Sequence, residues 1–443
     1  MNTIKVKAGI SKSSELAIHP DEAVLIGLER IKFAYVCFGS HKHYVNIKKD
    51  SSISRGNVLI SQKIMDELHM PEYPTYEICV NGNEIVIGPC IGLLVSTRDE
   101  RITKSRLNKM MTYVKEYQKL HGAIVVFALN GVDTENHLIN GYCYNPEREI
   151  WQKGIFPYPS AIYRSIGLSD RWKNHFLSII GDKIFNSRYF SKWEMYQWFS
   201  ELSKEHINIP HTFLYQSCQD VLDAVEKHGK VYIKPVLGLQ GRKVMQVSKE
   251  SLTYVFRYRD QGRNHEVRLD KPDDAAEFIK KSFIQNRYLV QQGIELLKYR
   301  EQVIDFRCVV QKGLSARWAC KAIIGRCGEK GSVVSNISSG GTAYRVTEIL
   351  EKVMPSSVVP SMEEKIRNFA LEVCNALDEI GINCGDLGVD VGVDTQGCLW
   401  LIEINNRDPD PTIALNIRDR RLYYDLKAGR LLYAKALAGF GSS

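Results

Sequence analysis

The sequence predicts a multidomain protein of mixed α+β and α/β class, led by a β-rich segment. Three observations carry this. The chain has 443 residues, more than one compact core holds, so about two to four domains are expected. Through residues 1–95, apolar runs of strand length are bounded by turn residues. Beyond residue 96, such runs alternate with helical patterns. Hydrophobic residues make up 44% and charged residues 25%, a globular balance that leaves no room for wholesale disorder.

The elements follow in order. In 1–95, Phe33-Ala34-Tyr35-Val36-Cys37-Phe38 and Glu84-Ile85-Val86-Ile87 read as strands, and Asn81-Gly82 as a hairpin turn. This segment reads as an accessory domain without chemistry of its own. In 96–180, residues 102–120 have a helical pattern and Ala123-Ile124-Val125-Val126-Phe127-Ala128-Leu129 reads as a buried strand. Phe156-Pro157-Tyr158-Pro159 must be extended or turning. An open α/β unit fits. In 181–443, strands are expected at 231–234, 288–290, 306–310, 388–393 and 399–404. Helices are expected at 192–205, 219–228, 273–282 and 362–380. A charged hairpin is expected around Asp260-Gln261-Gly262.

The net charge is +8, from 59 basic and 51 acidic residues. That mild, diffuse excess suits a protein that handles phosphates or acidic substrates. It lacks the basic stripe of a nucleic-acid binder, so no nucleic-acid partner is expected. The 11 cysteines are irregularly spaced and form no Cys-x-x-Cys pair, which points away from a zinc site or a disulfide framework. A reducing compartment fits. Residues 1–9 lack the apolar core of a secretory signal. No apolar run approaches the roughly 20 residues of a membrane span. A cytoplasmic protein is expected.

Three constellations bear chemistry. The first is Lys234-Pro235-Val236-Leu237-Gly238-Leu239-Gln240-Gly241-Arg242-Lys243. A strand ends in a lysine, a point charge for phosphates. The glycines of the following loop let backbone N–H groups approach phosphate oxygens. The Gly-Lys-Ser/Thr ending of a P-loop is absent. Alone, the segment reads equally as a plain β-hairpin.

The second is Asp390, Glu403 and Asn405. Strand side chains alternate, so Glu403 and Asn405 share one face while Ile402 and Ile404 take the other. Asp390, on the neighbouring strand, can reach the same spot. Three oxygen donors converging there suit Mg²⁺. A solvated polar face is the competing reading; the strongly apolar flanks weigh against it.

The third is Asp305-Phe306-Arg307, then Arg326, then Asn336 before Gly340-Gly341. The arginines could clamp a transferring phosphoryl group bidentately. Asn336 could bond the phosphate or its metal. Taken singly, each arginine reads as a surface ion pair. Arg407 and Arg418-Asp419-Arg420-Arg421 read as a surface charge cluster or as a site for an acidic substrate.

These segments in this order resemble the ATP-grasp superfamily, in the branch containing the RimK-like glutamate ligases. More narrowly the chain resembles the YheC/YheD family of endospore-forming bacteria, described as spore-coat-associated. Ile87-Gly88-Pro89-Cys90-Ile91-Gly92-Leu93-Leu94, Phe156-Pro157-Tyr158-Pro159-Ser160-Ala161-Ile162-Tyr163, Gly238 to Arg242, Val334-Ser335-Asn336 and Glu403-Ile404-Asn405-Asn406 carry the likeness. It implies an ATP-grasp fold, two α+β lobes clamping ATP, over 181–443 with a lid near 212–290. A pre-ATP-grasp α/β domain (96–180) and the β-rich domain (1–95) would precede it.

Residue by residue, the resemblance implies Lys192 and Lys234 as the nucleotide lysines, with Gly238, Gln240 and Gly241 in the phosphate loop. Gln291, Gln292, Gly293 and Ile294 match the adenine-pairing hinge. Glu295 and Glu301 compete as the ribose acid. Arg307, Arg326 and Asn336 match the phosphate and acyl-phosphate clamp. Asp390, Glu403 and Asn405 match the magnesium ligands, with Glu403 bridging two ions. The hinge often carries an acid where this chain has Gln292. Asn406-Arg407-Asp408-Pro409-Asp410-Pro411 replaces the Ser-Pro-Gly turn of RimK-like enzymes, so glutamate specificity is not implied.

The implied activity is an ADP-forming carboxylate–amine ligase acting through an acyl phosphate. ATP and Mg²⁺ are the implied cofactors, with Mn²⁺ able to substitute. The partners would be a carboxylate and an amine acceptor, whether small molecule, peptide or protein. A kinase on the same fold and a non-catalytic spore-coat protein are the alternatives. The family description also allows association with the spore coat.

Overall fold

The computed structural model describes residues 2–9, 13–186, 188–202, 206–238, 243–331, 340–407 and 409–441. Strands between Asn2 and Gly88 close into a barrel. Side chains alternate in and out. In Phe33–Phe38, Ala34, Val36 and Phe38 are buried while Phe33 and Tyr35 face outward. Leu16, Ile18, Val58, Ile60 and Tyr76 complete an apolar interior. Asn81 pairs with Glu84 across a two-residue turn, and Gly82 takes the positive φ (+60°) the turn needs.

The next strand, Cys90–Ser96, belongs to a separate five-stranded sheet. It lies parallel to Ala123–Asp133 on one side and to Ala161–Arg164 on the other. Both faces are covered, so the strand is buried along its whole length, as a central parallel strand should be. Helix Asp170–Ile180 packs Phe176 against Leu94, Phe127 and Ile162 on one face. Helix Arg420–Lys435 packs Leu431, Tyr433 and Ala434 against Ile91, Leu93 and Ile124 on the other. The helical pattern expected over 102–120 is divided into Lys104–Val114 and Tyr117–Leu120. The break lets Tyr117 turn inward and donate its hydroxyl to the Gly122 carbonyl (2.8 Å).

Two antiparallel sheets follow. The first runs Thr212–Leu214, Tyr288–Gln292, Lys230–Pro235, Met245–Glu250, Thr253–Asp260, Arg263–Leu269. Helices Cys218–His228 and Pro272–Ser282 cover one of its faces. The second runs Thr342–Arg345, Trp318–Cys327, Gln302–Lys312, Asp386–Val393, Leu399–Asn405. Helix Val359–Glu379 fills its apolar face, burying Ile366, Ala370, Val373 and Leu377 against Phe306, Cys308, Val389 and Val391. The other face is apolar at Val309 and Ile324 and charged beside them.

Candidate active site

The charged part of that face is a cross-strand row. Arg307 pairs in register with Asp390, and Asp390 with Glu403. Two residues along, Asp305 pairs with Arg326. Residues in register share a face and touch. Arg307 chelates Asp390, its Nη2 lying 3.0 Å from Oδ2. Arg326 donates to both Asp305 oxygens at 2.7 Å and reaches Asp390 Oδ2 at 2.9 Å. The surface-ion-pair alternative, which applies to each arginine taken singly, does not hold for Arg326: it is buried with Asp305 and Asp390, while Arg307 is half-buried. Burial pushes the Asp390 carboxyl up, but Arg307 and Arg326 outweigh it and bring it to about 2. Burial likewise opposes the Arg326 charge, and Asp305 and Asp390 overcome it, so its pKa is raised.

One expectation about the last strand also changes. Asp390 pairs with Glu403 but Val391 with Leu401, so Ile402 is the extra residue of a β-bulge. The apolar face is Leu401 and Ile404, not Ile402 and Ile404. Glu403 and Asn405 still share the charged face. The Asn405 amide donates toward Asp390 Oδ2 (3.3 Å).

Two lysines reach this row from other elements. Ser191 and Glu194 form a reciprocal capping box that fixes the start of helix Lys192–Glu201. A lysine in the first helical turn runs against the helix dipole. Here Lys192 is held instead by Glu403 Oε1 (2.7 Å) and the Gly238 carbonyl (2.9 Å). Lys234, at the end of Lys230–Pro235, donates to Gln291 Oε1 (2.6 Å). Removal from water lowers its pKa to about 8; Glu403 opposes this, Lys192 adds to it, and Asp305 and Asp390 oppose it. Among these side chains Lys192, Lys234, Arg307 and Arg326 face Asp305, Asp390 and Glu403. Positive charge is in excess by one, a setting that favours an anion.

The hinge residues are ordered by backbone bonds. Gln292 N–H donates to His211 O (2.8 Å) and Gly293 N–H to Lys230 O (2.8 Å). A β-carbon on Gly293 would lie 2.9 Å from the Lys230 carbonyl oxygen, so only glycine fits. Ile294 accepts from Leu296 N–H (3.1 Å). Buried Gln291 links Lys234 to the Thr212 hydroxyl. Glu295 pairs with Lys230, whereas Glu301 sits exposed in the turn joining Lys298–Tyr299 to Gln302–Lys312. Gln240, Gly241 and Asn336 lie outside the described residues.

Asp390, Glu403 and Asn405 thus stand together as oxygen donors of the hard type that Mg²⁺ prefers. Among the described residues no group of three or more His, Cys, Asp or Glu converges; this set is two carboxylates and an amide. Asp390 is balanced by arginines and Glu403 by Lys192. The donor chemistry fits magnesium, with Glu403 and Asn405 the members not tied to a guanidinium. Asp305, to which the sequence alone assigns no role, orients Arg326 from the position opposite it in register.

The family model for the YheC/D-like ATP-grasp matches residues 181–437. The endospore coat-associated protein YheD of Bacillus subtilis (strain 168) is 25% identical over 423 residues, covering 92% of this chain and 90% of YheD. A D-alanine–D-alanine ligase of Synechococcus sp. (strain CC9311) is 30% identical over 127 residues, 26% of this chain and 35% of the ligase. The solved D-Ala:D-Ser ligase VanG of Enterococcus faecalis aligns at 11% identity and TM-score 0.43, over 79% of this chain and 98% of that one. The matched region holds Lys192, Lys234, the Arg307–Asp390–Glu403 row and the loop beyond it, and on that match this chain belongs to the YheC/D-like ATP-grasp family.

Proposed function

We propose that the chain is an ATP- and Mg²⁺-dependent carboxylate–amine ligase that releases ADP and phosphate. The observation that carries this is the buried row Arg307–Asp390–Arg326–Asp305, continuous through Glu403 with Lys192 and roofed by Lys234. Breaking such a network costs several kcal/mol, and apolar residues would fill the space at no loss of stability. Its retention is best explained by a bound anion.

In this reading Lys192 and Lys234 hold the nucleotide phosphates. A substrate carboxylate oxygen attacks the γ-phosphorus, the bond to the β-phosphate oxygen breaks, and ADP leaves. Arg307 and Arg326 hold the charge on the transferring group, already oriented by Asp390 and Asp305. An amine then attacks the acyl carbon, loses a proton, and expels phosphate. Glu403 and Asn405, with Asp390, would hold magnesium, which when bound neutralises phosphate charge. No enzyme nucleophile is needed. Burial holds Cys308 and Cys374 protonated, which agrees. The likeness to the endospore coat-associated protein YheD supports association with the spore coat in a spore-forming bacterium.

The test is a screen of carboxylate and amine pairs read by ADP release and by mass spectrometry of the product. Amide formation stoichiometric with ADP, lost in Arg307→Met, supports the ligase. A stable phosphorylated product without amide would replace it with a kinase.

A further inference from the structure

Of the buried cations outside the chemistry above, Lys312, Arg430 and Lys435 each pair with a carboxylate, and Arg164 stands apart. Arg164 ends the strand Ala161–Arg164 and is 3% exposed. Its Nη1 donates to the Ile166 carbonyl (2.6 Å). Among the described residues its Nε and Nη2 have no hydrogen-bond partner of ordinary geometry, and the neutral Tyr189 hydroxyl is the polar group that approaches the guanidinium. These two N–H groups lie on one edge of the guanidinium, the edge that grips a carboxylate through two parallel bonds. Burial lowers its pKa, opposed chiefly by Tyr189, through its charge and a hydrogen bond, and then by Tyr163 and Cys384. A buried charge left this way is costly and calls for a partner.

The surroundings point to a ligand. The guanidinium lies 4.2 Å from the centre of the Tyr189 ring, and that of Arg407 lies 5.3 Å from the same ring. Tyr189 is three positions before Lys192, and Arg407 is four beyond Glu403. Asn406, next to Arg407 in the chain and 5% exposed, also has an amide Nδ2 without a partner among the described residues. Arg164 stands at the carboxyl end of parallel strands, where α/β sheets gather ligands. A cleft of about 400 Å³ lies at the same end of the sheet, lined by Thr97, Asn130 and Gly167 among others, with Arg164 behind its wall rather than in its lining. Gly167 sits against Tyr189: a β-carbon on it would be 3.5 Å from the ring.

We propose that Arg164 anchors a subsite for a substrate carboxylate other than the one that is phosphorylated. Tyr189 and Arg407 flank it. The identity of the substrate rests on the ligase reading: the carboxylate belongs either to a dicarboxylic donor or to an amino-acid acceptor. The subsite itself is independent of nucleotide.

The test is thermal unfolding of the full chain at constant ionic strength, with acetate, succinate, alanine, phosphate or neutral acetamide at 50 mM. Variants are Arg164→Met, which keeps volume without charge, and Arg164→Lys, which keeps charge without the two-bonded edge. We expect acetate to raise the wild-type Tm by about 2 °C, acetamide to do nothing, and both variants to lose the response. Arg164→Met alone should melt no lower than wild type, because it removes an unpaired buried charge. A larger shift with succinate assigns a dicarboxylic donor, and a larger one with alanine an amino-acid acceptor. No carboxylate response in wild type, a response to phosphate alone, or an acetate response retained in both variants would overturn the subsite. Nucleotide is tested on the same wild-type sample. A nucleotide shift without a carboxylate shift overturns the subsite alone. An Arg164-dependent carboxylate shift without a nucleotide shift overturns the ligase reading and leaves the subsite standing.

Discussion

The barrel of residues 2–88 and the sheet Thr342–Asn405 are both β-structures, yet they place charge in opposite ways. In the barrel, Lys42 and Glu84 pair on the outside at 57% and 44% exposure, and the interior is apolar. In the sheet, Asp305, Arg307, Arg326 and Asp390 are paired within the fold, on a face whose neighbouring positions Val309 and Ile324 are apolar. Among the described residues the one barrel acid that is buried, Glu77, points away from the apolar interior and pairs with Lys435 of the covering helix at 2.6 Å. A sheet that buries two acids and an arginine, with a second arginine half-buried beside them, has a use for them where aliphatic residues would serve. The contrast separates a region built for packing from one built for binding.

The largest expected effect is on the buried row. Asp390→Ala or Arg326→Ala strands a charge and should cost about 3–5 kcal/mol in denaturant unfolding. Lys42→Ala on the barrel should cost about 0.5 kcal/mol or less. The paired change Asp305→Leu with Arg326→Met should recover most of the stability while abolishing nucleotide-dependent activity. Equal costs at Arg326 and Lys42 would erase the contrast.

Next comes Gly293→Ala. The added β-carbon meets the Lys230 backbone and side chain, so a loss of about 1–3 kcal/mol is expected, with weakened nucleotide binding from the displaced hinge.

The two regions should also differ with pH. The folded-state pKa of Asp390 is depressed, to about 2. Its stabilisation is therefore present above the unfolded-state value and is lost as pH falls from about 4 toward 2. Asp390→Asn should flatten that part of the acid profile. Lys234 is depressed to about 8, so its ammonium destabilises the ligand-free fold below that pH, and the cost is relieved as pH rises toward the unfolded value. Nucleotide affinity should decline above pH 8, and Lys234→Arg should move the decline higher; titration calorimetry across pH 7–9.5 checks this. The smallest effect is at Glu301, exposed in its turn: Glu301→Ala should leave Tm unchanged.

The same contrast explains what was legible in the sequence. Alternation over 33–38 and the apolar run 388–393 marked strands because burial there follows local periodicity. The parallel pairings of the barrel, such as Lys5 with Asn57, were not legible, since they join residues far apart in sequence. Glu403 and Asn405 stood out as polar residues in an apolar strand. The bulge at Ile402 and the commitment of Asp390 to two arginines depend on register between strands, which no local pattern carries. Arg164 is ordinary in Ala161-Ile162-Tyr163-Arg164; only its lack of a carboxylate partner among the described residues of the folded chain marks it.

The most direct measurement is thermal unfolding with Mg²⁺ and a non-hydrolysable ATP analogue, for wild type and for Glu403→Gln with Asn405→Ala. Ligand at about 100 times its Kd adds roughly 2.7 kcal/mol. We expect a magnesium-dependent rise in Tm for wild type that the double variant loses. No shift in wild type at millimolar nucleotide would contradict the account, leaving the buried row a structural feature of a protein that does not bind ATP.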